Sequence, residues 1–240
     1  CNIISRKEVP EGFTISKLCQ SLTTLTIPST VTSIGEGAFR NCSLVKKIFI
    51  PQSVTTIEKS AFDGCKNLSS VDIPSKVSLI GENCFKNCSS LTQIRIPFSV
   101  ICINSNTFNG CSSLKEVIFD NPSSIQSIGK YSFAGCSSLT QFIIPSSNNS
   151  VTLNECKSIS QIIIPSFVTD IDEGAFCGCS LIEQITIQSS INSIKKNCFC
   201  DCNSLTQITM PSSINKIEDF AFYGCYKLTQ IIIPSSVTII

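Results

Sequence analysis

Residues 22–27, 45–50, 68–73 and 91–96 read LTTLTI, VKKIFI, LSSVDI and LTQIRI. In each stretch the first, fourth and sixth positions are apolar and the third and fifth vary. Such alternation, rich in Ile and Thr, predicts a short strand with one buried face. A proline follows and ends the strand, since it has no amide to donate. It recurs at Pro28, Pro51, Pro74, Pro97, Pro122, Pro145, Pro165, Pro211 and Pro234, and Gln188 fills the one gap. The pattern V-x-x-I that comes next predicts a second, shorter extended piece. G-x-x-A-F then suits a helical turn. The residue before the following cysteine is Gly64, Gly110, Gly135, Gly178, Gly224, Asn41, Asn87 or Asp201. Those residue types tolerate positive φ, so this slot is read as left-handed, turning the chain into the next strand.

The markers keep one register. The proline-slot steps are 23, 23, 23, 25, 23, 20, 23, 23 and 23 residues. Cys19, Cys42, Cys65, Cys88, Cys111, Cys136, Cys156, Cys179, Cys202 and Cys225 form a second ladder. Three residues before most of these stand Phe39, Phe62, Phe85, Phe108, Phe133, Phe176, Phe199 and Phe222. A fixed period in the twenties marks a solenoid in which each repeat is one coil and strands of successive coils pair in a parallel sheet. About ten coils are expected, as a single solenoid over residues 19–240. Residues 1–18 fit the repeat poorly and are read as a degenerate repeat or partial N-terminal cap. Irregular coils are expected near 111–156, where one unit has 25 residues (an insertion around Asp120–Asn121) and another has 20, with Leu153 in the phenylalanine slot. The sequence stops in mid-repeat at Ile240, which predicts a truncated solenoid.

The unit L-x-x-I-x-I-P-x-x-V-x-x-I-x-x-x-A-F-x-x-C-x-x, as in LTQIRIPFSVICINSNTFNGCSS at 91–113, resembles the BspA-like leucine-rich repeat. The resemblance covers about residues 19–240. It implies a right-handed α/β-type superhelix with a concave parallel sheet, found in microbial surface proteins that bind host or neighbouring-cell ligands.

Composition narrows the function. The 240 residues are 42% hydrophobic and carry a net charge of +1. Lysines and arginines are scattered, which gives no footprint for nucleic acid. No apolar run approaches the length of a membrane helix, so no membrane insertion is expected in this segment. The chain has no histidine. Ser-His and Cys-His pairs are therefore excluded, and no glycine-rich phosphate loop follows a strand. No enzyme, no cofactor and no metal are expected.

Sixteen cysteines bear on the metal and on the compartment. Cys198-Phe-Cys200-Asp-Cys202 and Cys177-Gly-Cys179 are dense, but Cys179 and Cys202 belong to the ladder. Cys198 shares a small-residue slot with Ala38, Ala61, Cys84 and Ala221, so it too is assigned to the core rather than to zinc. The ladder cysteines are read as buried small hydrophobes with no need of covalent links. Cys177 and Cys200 differ: they follow the repeat phenylalanine in an exposed slot, one coil apart, and are candidates for a disulfide in an oxidising compartment. Abundant thiols favour a cytoplasmic location. Sequons at Asn41, Asn67, Asn87 and Asn148 are candidate glycosylation sites and, with the family resemblance, favour the extracellular or cell-surface alternative.

Two outward columns of the sheet remain for binding. The third strand position gives Thr24, Lys47, Ser70, Gln93, Glu116, Gln141, Gln161, Gln184, Gln207 and Gln230. The fifth gives Thr26, Phe49, Asp72, Arg95, Ile118, Ile143, Ile163, Thr186, Thr209 and Ile232. The glutamine row is read either as a contact strip or as side chains that hydrogen-bond to one another. The varied positions Lys47, Phe49, Asp72, Arg95 and Glu116 are the stronger candidates for a ligand. The expected function is a non-catalytic cell-surface adhesion or recognition module for a protein or glycan. The alternative is an intracellular scaffold or inhibitor with free buried cysteines. End-to-end self-association is open to either.

Overall fold

The computed structural model describes residues 19, 21–120, 124–140, 142–145, 150–151 and 153–240. They form a parallel β-solenoid of about eight turns of about 23 residues, with a parallel sheet on the concave face. Ten repeat markers had predicted about ten coils, but the first marker unit and the 20-residue unit fall partly outside the described residues, as do residues 1–18, Asn121, Gln141 and Asn148.

Eight coils contribute a strand of the first kind: Thr24–Thr26, Lys47–Phe49, Ser70–Val71, Gln93–Ile96, Glu116–Phe119, Gln161–Ile164, Gln184–Ile187 and Gln207–Thr209. Hydrogen bonding groups these into pieces over 24–71, 93–119 and 161–209. The register is one coil per step. Gln161 stands beside Gln184 and Gln184 beside Gln207, while Gln93 stands beside Glu116 and Arg95 beside Ile118. The V-x-x-I pieces form a second parallel set of two-residue strands, such as Ser33–Ile34, Thr56–Ile57 and Leu79–Ile80.

The third side differs from its expectation. No α-helix occurs among the described residues. G-x-x-A-F instead folds as linked reverse turns whose amides alternate between two partners. Ala38 and Arg40 donate within the coil, to Gly35 O at 3.2 Å and Gly37 O at 3.0 Å. Gly37, Phe39 and Asn41 donate across it, to Lys59 O, Ala61 O and Asp63 O at 2.9, 2.8 and 2.7 Å. A helix would spend every amide locally; here half of them fasten the next coil, satisfying buried backbone without a sheet. This geometry needs two left-handed residues per coil. One is the expected slot before the cysteine. The other lies four residues earlier, at Gly37, Ser60, Asn83, Asn106, Tyr131, Gly174, Asn197 and Phe220.

The core is a strip of columns. Phe39, Phe62, Phe85, Phe108 and Phe133 stack with ring centroids 5.5, 5.2, 5.7 and 5.5 Å apart. Each such pair is worth about 0.5–1.5 kcal/mol beyond its burial. Leu153 interrupts the column, which resumes through Phe176, Phe199 and Phe222 at 5.4 and 5.5 Å. At the break Phe133 meets Phe142 at 5.0 Å with tilted rings.

The cysteine column is buried as expected, but its chemistry is richer than small-hydrophobe packing. Cys65, Cys88, Cys111 and Cys136 donate their thiols to the carbonyls of Phe39, Phe62, Phe85 and Phe108 at 3.1, 3.3, 3.1 and 3.2 Å. Cys179, Cys202 and Cys225 do the same toward Leu153, Phe176 and Phe199 at 3.0, 3.2 and 3.2 Å. One expectation is corrected here. Cys19 and Cys42 are bridged, with Cα atoms 4.9 Å apart. One rung spans a length that a disulfide tolerates, so bridging is open wherever the thiols face each other instead of a carbonyl.

Candidate functional site

The two outward columns are where the alternation puts them. Lys47, Asp72, Gln93, Arg95, Glu116, Gln161, Gln184, Gln207 and Gln230 are exposed, between buried Ile48, Val71, Ile94, Ile162, Ile185 and Ile208. Gln230 continues the row beyond the last strand of the sheet. Gln141 lies outside the described residues.

The N-terminal half carries distinct chemistry. Phe49 is 46% exposed, unusual for a phenylalanine on a sheet whose opposite face supplies the core. The Lys47 ammonium lies 4.8 Å from the centroid of its ring, within cation–π range. Two coils on, Arg95 Nε donates to Asp120 Oδ1 at 2.7 Å, and Asp120 Oδ2 accepts from the Phe98 amide at 3.2 Å. Asp120 belongs to the 25-residue unit, so the insertion fixes the pose of a sheet-face arginine. Sequence reasoning named Arg95 and the insertion separately and missed their pairing, because the two lie 25 residues apart. Asp72 and Glu116 place carboxylates between and beyond these cations. The C-terminal half is plainer: Gln161, Gln184 and Gln207 in register, beside Ile163 at 57% exposure.

The candidate sequons occupy structural positions. Asn41 and Asn87 are exposed, with φ of 60° and 58°. A Cβ on Gly64 or Gly110 of the next coil would collide with their Oδ1 atoms. A side chain there would have to displace the asparagine oxygens, and both glycines also stand at positive φ. Asn67 is exposed, and its Nδ2 donates to Ser43 O at 2.7 Å. Asn148 lies outside the described residues.

Away from the sheet, Cys177 and Cys200 are neighbours, half-buried and carried as thiols. Their sulfurs and an Asp201 carboxylate oxygen all lie within 4.8 Å of one another. Cys198 and Cys202 of the dense run are fully buried, in the core where the repeat slots assign them. Burial, then the charges of Cys177 and Asp201, pushes the Cys200 thiol up to about 12. Burial also raises the Cys177 thiol.

No helix of the described residues is long and apolar enough to cross a membrane. No curated protein matches the chain. Among solved structures, a leucine-rich repeat protein from Bacteroides ovatus is 26% identical, with a TM-score of 0.64 over 91% of this chain and 68% of that one. A leucine-rich cell surface protein from Faecalibacterium prausnitzii is 27% identical with a TM-score of 0.49, covering 88% of this chain and 59% of that one. The pneumococcal vaccine antigen PcpA is 20% identical with a TM-score of 0.49, covering 82% of this chain and 62% of that one. The model of the BspA type leucine-rich repeat region matches six copies over residues 14–122 and 126–240. With that match over nearly its whole length, and with a sheet, ring column and cysteine column that repeat coil by coil, the chain belongs to the BspA-type leucine-rich repeat family.

Proposed function

We propose that this chain is a non-catalytic recognition module of the bacterial cell surface that takes a protein or glycan partner on the N-terminal half of its concave sheet. The carrying observation is the exposed Phe49 ring beneath Lys47, on the same face as the held Arg95 and the free carboxylates of Asp72 and Glu116. An exposed aromatic and a pre-positioned arginine are the residue types that dominate binding energy at interfaces, because little side-chain entropy is lost when they engage. The core uses the opposite face of the strands, and of these side chains only Arg95 is tied to a neighbouring coil, through Asp120. Ladder thiols do not argue for a reducing compartment. Apart from the bridged Cys19–Cys42 pair, those that donate to a carbonyl are held as neutral thiols, which are poor nucleophiles toward oxidants in any compartment.

The test is binding of the purified chain to host-cell and neighbouring-cell surfaces, with and without enzymatic removal of glycans. Phe49→Ala and Arg95→Glu are expected to weaken binding at least roughly tenfold, as interface anchors do. Gln207→Ala is expected to change it little. Equal binding by all three variants sinks the assignment to this face.

A further inference from the structure

Cys177 and Cys200 hold a slot that elsewhere carries Arg40, Asp63, Lys86, Asn109, Ala134 and Tyr223. Nothing in the repeat calls for cysteine there. Coil-to-coil bonds fix the backbone beneath them: the Gly178 amide donates to Cys200 O at 2.8 Å, and the Asp201 amide to Tyr223 O at 2.7 Å. Asp201 stands in the left-handed slot with φ of 56°, which brings its carboxylate back to the Cys200 thiol. That thiol donates to Asp201 Oδ2 at 3.6 Å. Two sulfurs and a carboxylate oxygen thus converge within 4.8 Å. Donors around a tetrahedral zinc, with Zn–S of about 2.3 Å and Zn–O of about 2.0–2.2 Å, stand roughly 3.5–3.8 Å apart, so side-chain rotation closes the set without backbone movement. The surroundings are anionic as well. Glu155 reaches over Gly178, beside Cys177, and its charge acts on that thiol; Lys157 answers it at 3.0 Å.

We infer that Cys177, Cys200 and Asp201 form a surface site for a thiophilic divalent cation of the Zn2+ type, with solvent at the fourth tetrahedral position. The two thiols give up their protons as the metal enters, so M2+ plus two RSH and one carboxylate becomes a dithiolate–carboxylate complex and two H+. A disulfide between the same cysteines is the competing fate. It would use neither Asp201 nor the negative field, and it would draw the sulfurs away from the carboxylate. The site lies in the turn segment and is independent of binding on the sheet.

The probe is Co2+ titrated into the full chain, reduced and kept anaerobic. Equimolar uptake is expected, with a thiolate-to-cobalt charge-transfer band, displacement by Zn2+, and release of about two protons per metal in weak buffer. Cys177→Ser and Cys200→Ser should each abolish the band, since the slot accepts polar side chains in other coils and the fold survives, as far-ultraviolet circular dichroism will verify. Asp201→Asn, which keeps a residue type suited to the left-handed slot, should weaken uptake roughly tenfold or more. Cys102→Ser should change nothing. Absence of the band, its persistence in the Cys177→Ser, Cys200→Ser double variant, or a Cys177–Cys200 disulfide that forms in air despite equimolar Zn2+ would each overturn the site.

Discussion

Substituting Cys111 by alanine, serine and valine separates the two roles of a ladder thiol. Cys111 is fully buried, and its thiol donates to Phe85 O at 3.1 Å. The same oxygen takes the Cys88 amide at 3.1 Å. Alanine removes one buried atom, a loss of about 0.8 kcal/mol by analogy with a methylene, and a weak hydrogen bond of about 0.5–1 kcal/mol. The total is about 1.3–1.8 kcal/mol, with Phe85 O still satisfied by the Cys88 amide. Serine keeps a donor aimed at the carbonyl, so it should cost no more than alanine despite its polarity. Valine fills the slot, offers no donor and adds bulk between rungs, which costs about 1–3 kcal/mol. The assay is urea unfolding followed by far-ultraviolet circular dichroism, since the chain has no tryptophan. A buried hydroxyl without a partner costs about 1–3 kcal/mol. Serine falling below alanine by that amount would mean that the carbonyl is out of reach and that the column is apolar packing alone.

Three further outcomes are expected. Burial pushes the thiols of Cys65 and Cys111 up to about 12, and that of Cys225 to about 11, from an ordinary value of 9.0. Folded and unfolded chains both stay protonated below 9.0, so the stabilisation is complete there; above it the unfolded thiols ionise first, and stability falls by about 1.4 kcal/mol per pH unit for each of Cys65 and Cys111, and by less for the half-buried Cys225. The urea midpoint should therefore hold near neutral pH and drop steeply between about pH 9 and 11, and a flat profile across that window contradicts the burial. Phe85→Ala, in the middle of the ring stack, should cost about 3–5 kcal/mol, and Phe222→Ala, half-buried with one stacked neighbour, clearly less in the same assay; equal costs would deny the column its cooperative role. Tyr131→Asn should raise stability by up to about 1 kcal/mol, because tyrosine sits there at φ of 59° and asparagine tolerates that conformation; a loss in the thermal midpoint would show that the ring's contacts outweigh the relief.

Much of the fold was legible because the repeat writes each core column in a single letter. Leu25, Ile48 and Val71 announce a buried strand face by alternation alone, and Phe39 to Phe133 announce their stack by recurring at one offset. What escaped were features set by the neighbouring coil. The second left-handed slot takes Ser60, Tyr131 and Phe220, residues whose own preferences give no sign of positive φ. Ser60 is held there because its amide reaches Glu82 O at 2.8 Å in the next coil. The thiol–carbonyl bonds were hidden for the same reason, since donor and acceptor lie 26 residues apart in most rungs.

This also explains which parts of the candidate sites could be read. In a solenoid the relevant neighbourhood is one coil up or down, so chemistry appears when the sequence is aligned by its period and read vertically. Read that way, Lys47, Phe49, Asp72 and Arg95 emerge as a varied stripe among otherwise repetitive rows, and Cys177 meets Cys200. Read along the chain, the cysteine cluster points to Cys198 and Cys202, which alternation and turn geometry send into the core. Asp201 escaped both readings. Its slot is filled by glycine or asparagine in most coils for conformational reasons, and that bland explanation was sufficient for it. A residue can satisfy the backbone and still bring a carboxylate to its neighbours. Substitution at a conformationally restricted slot by a chemically active residue type that the conformation tolerates is therefore the place where a repeat protein can add a site without disturbing its columns.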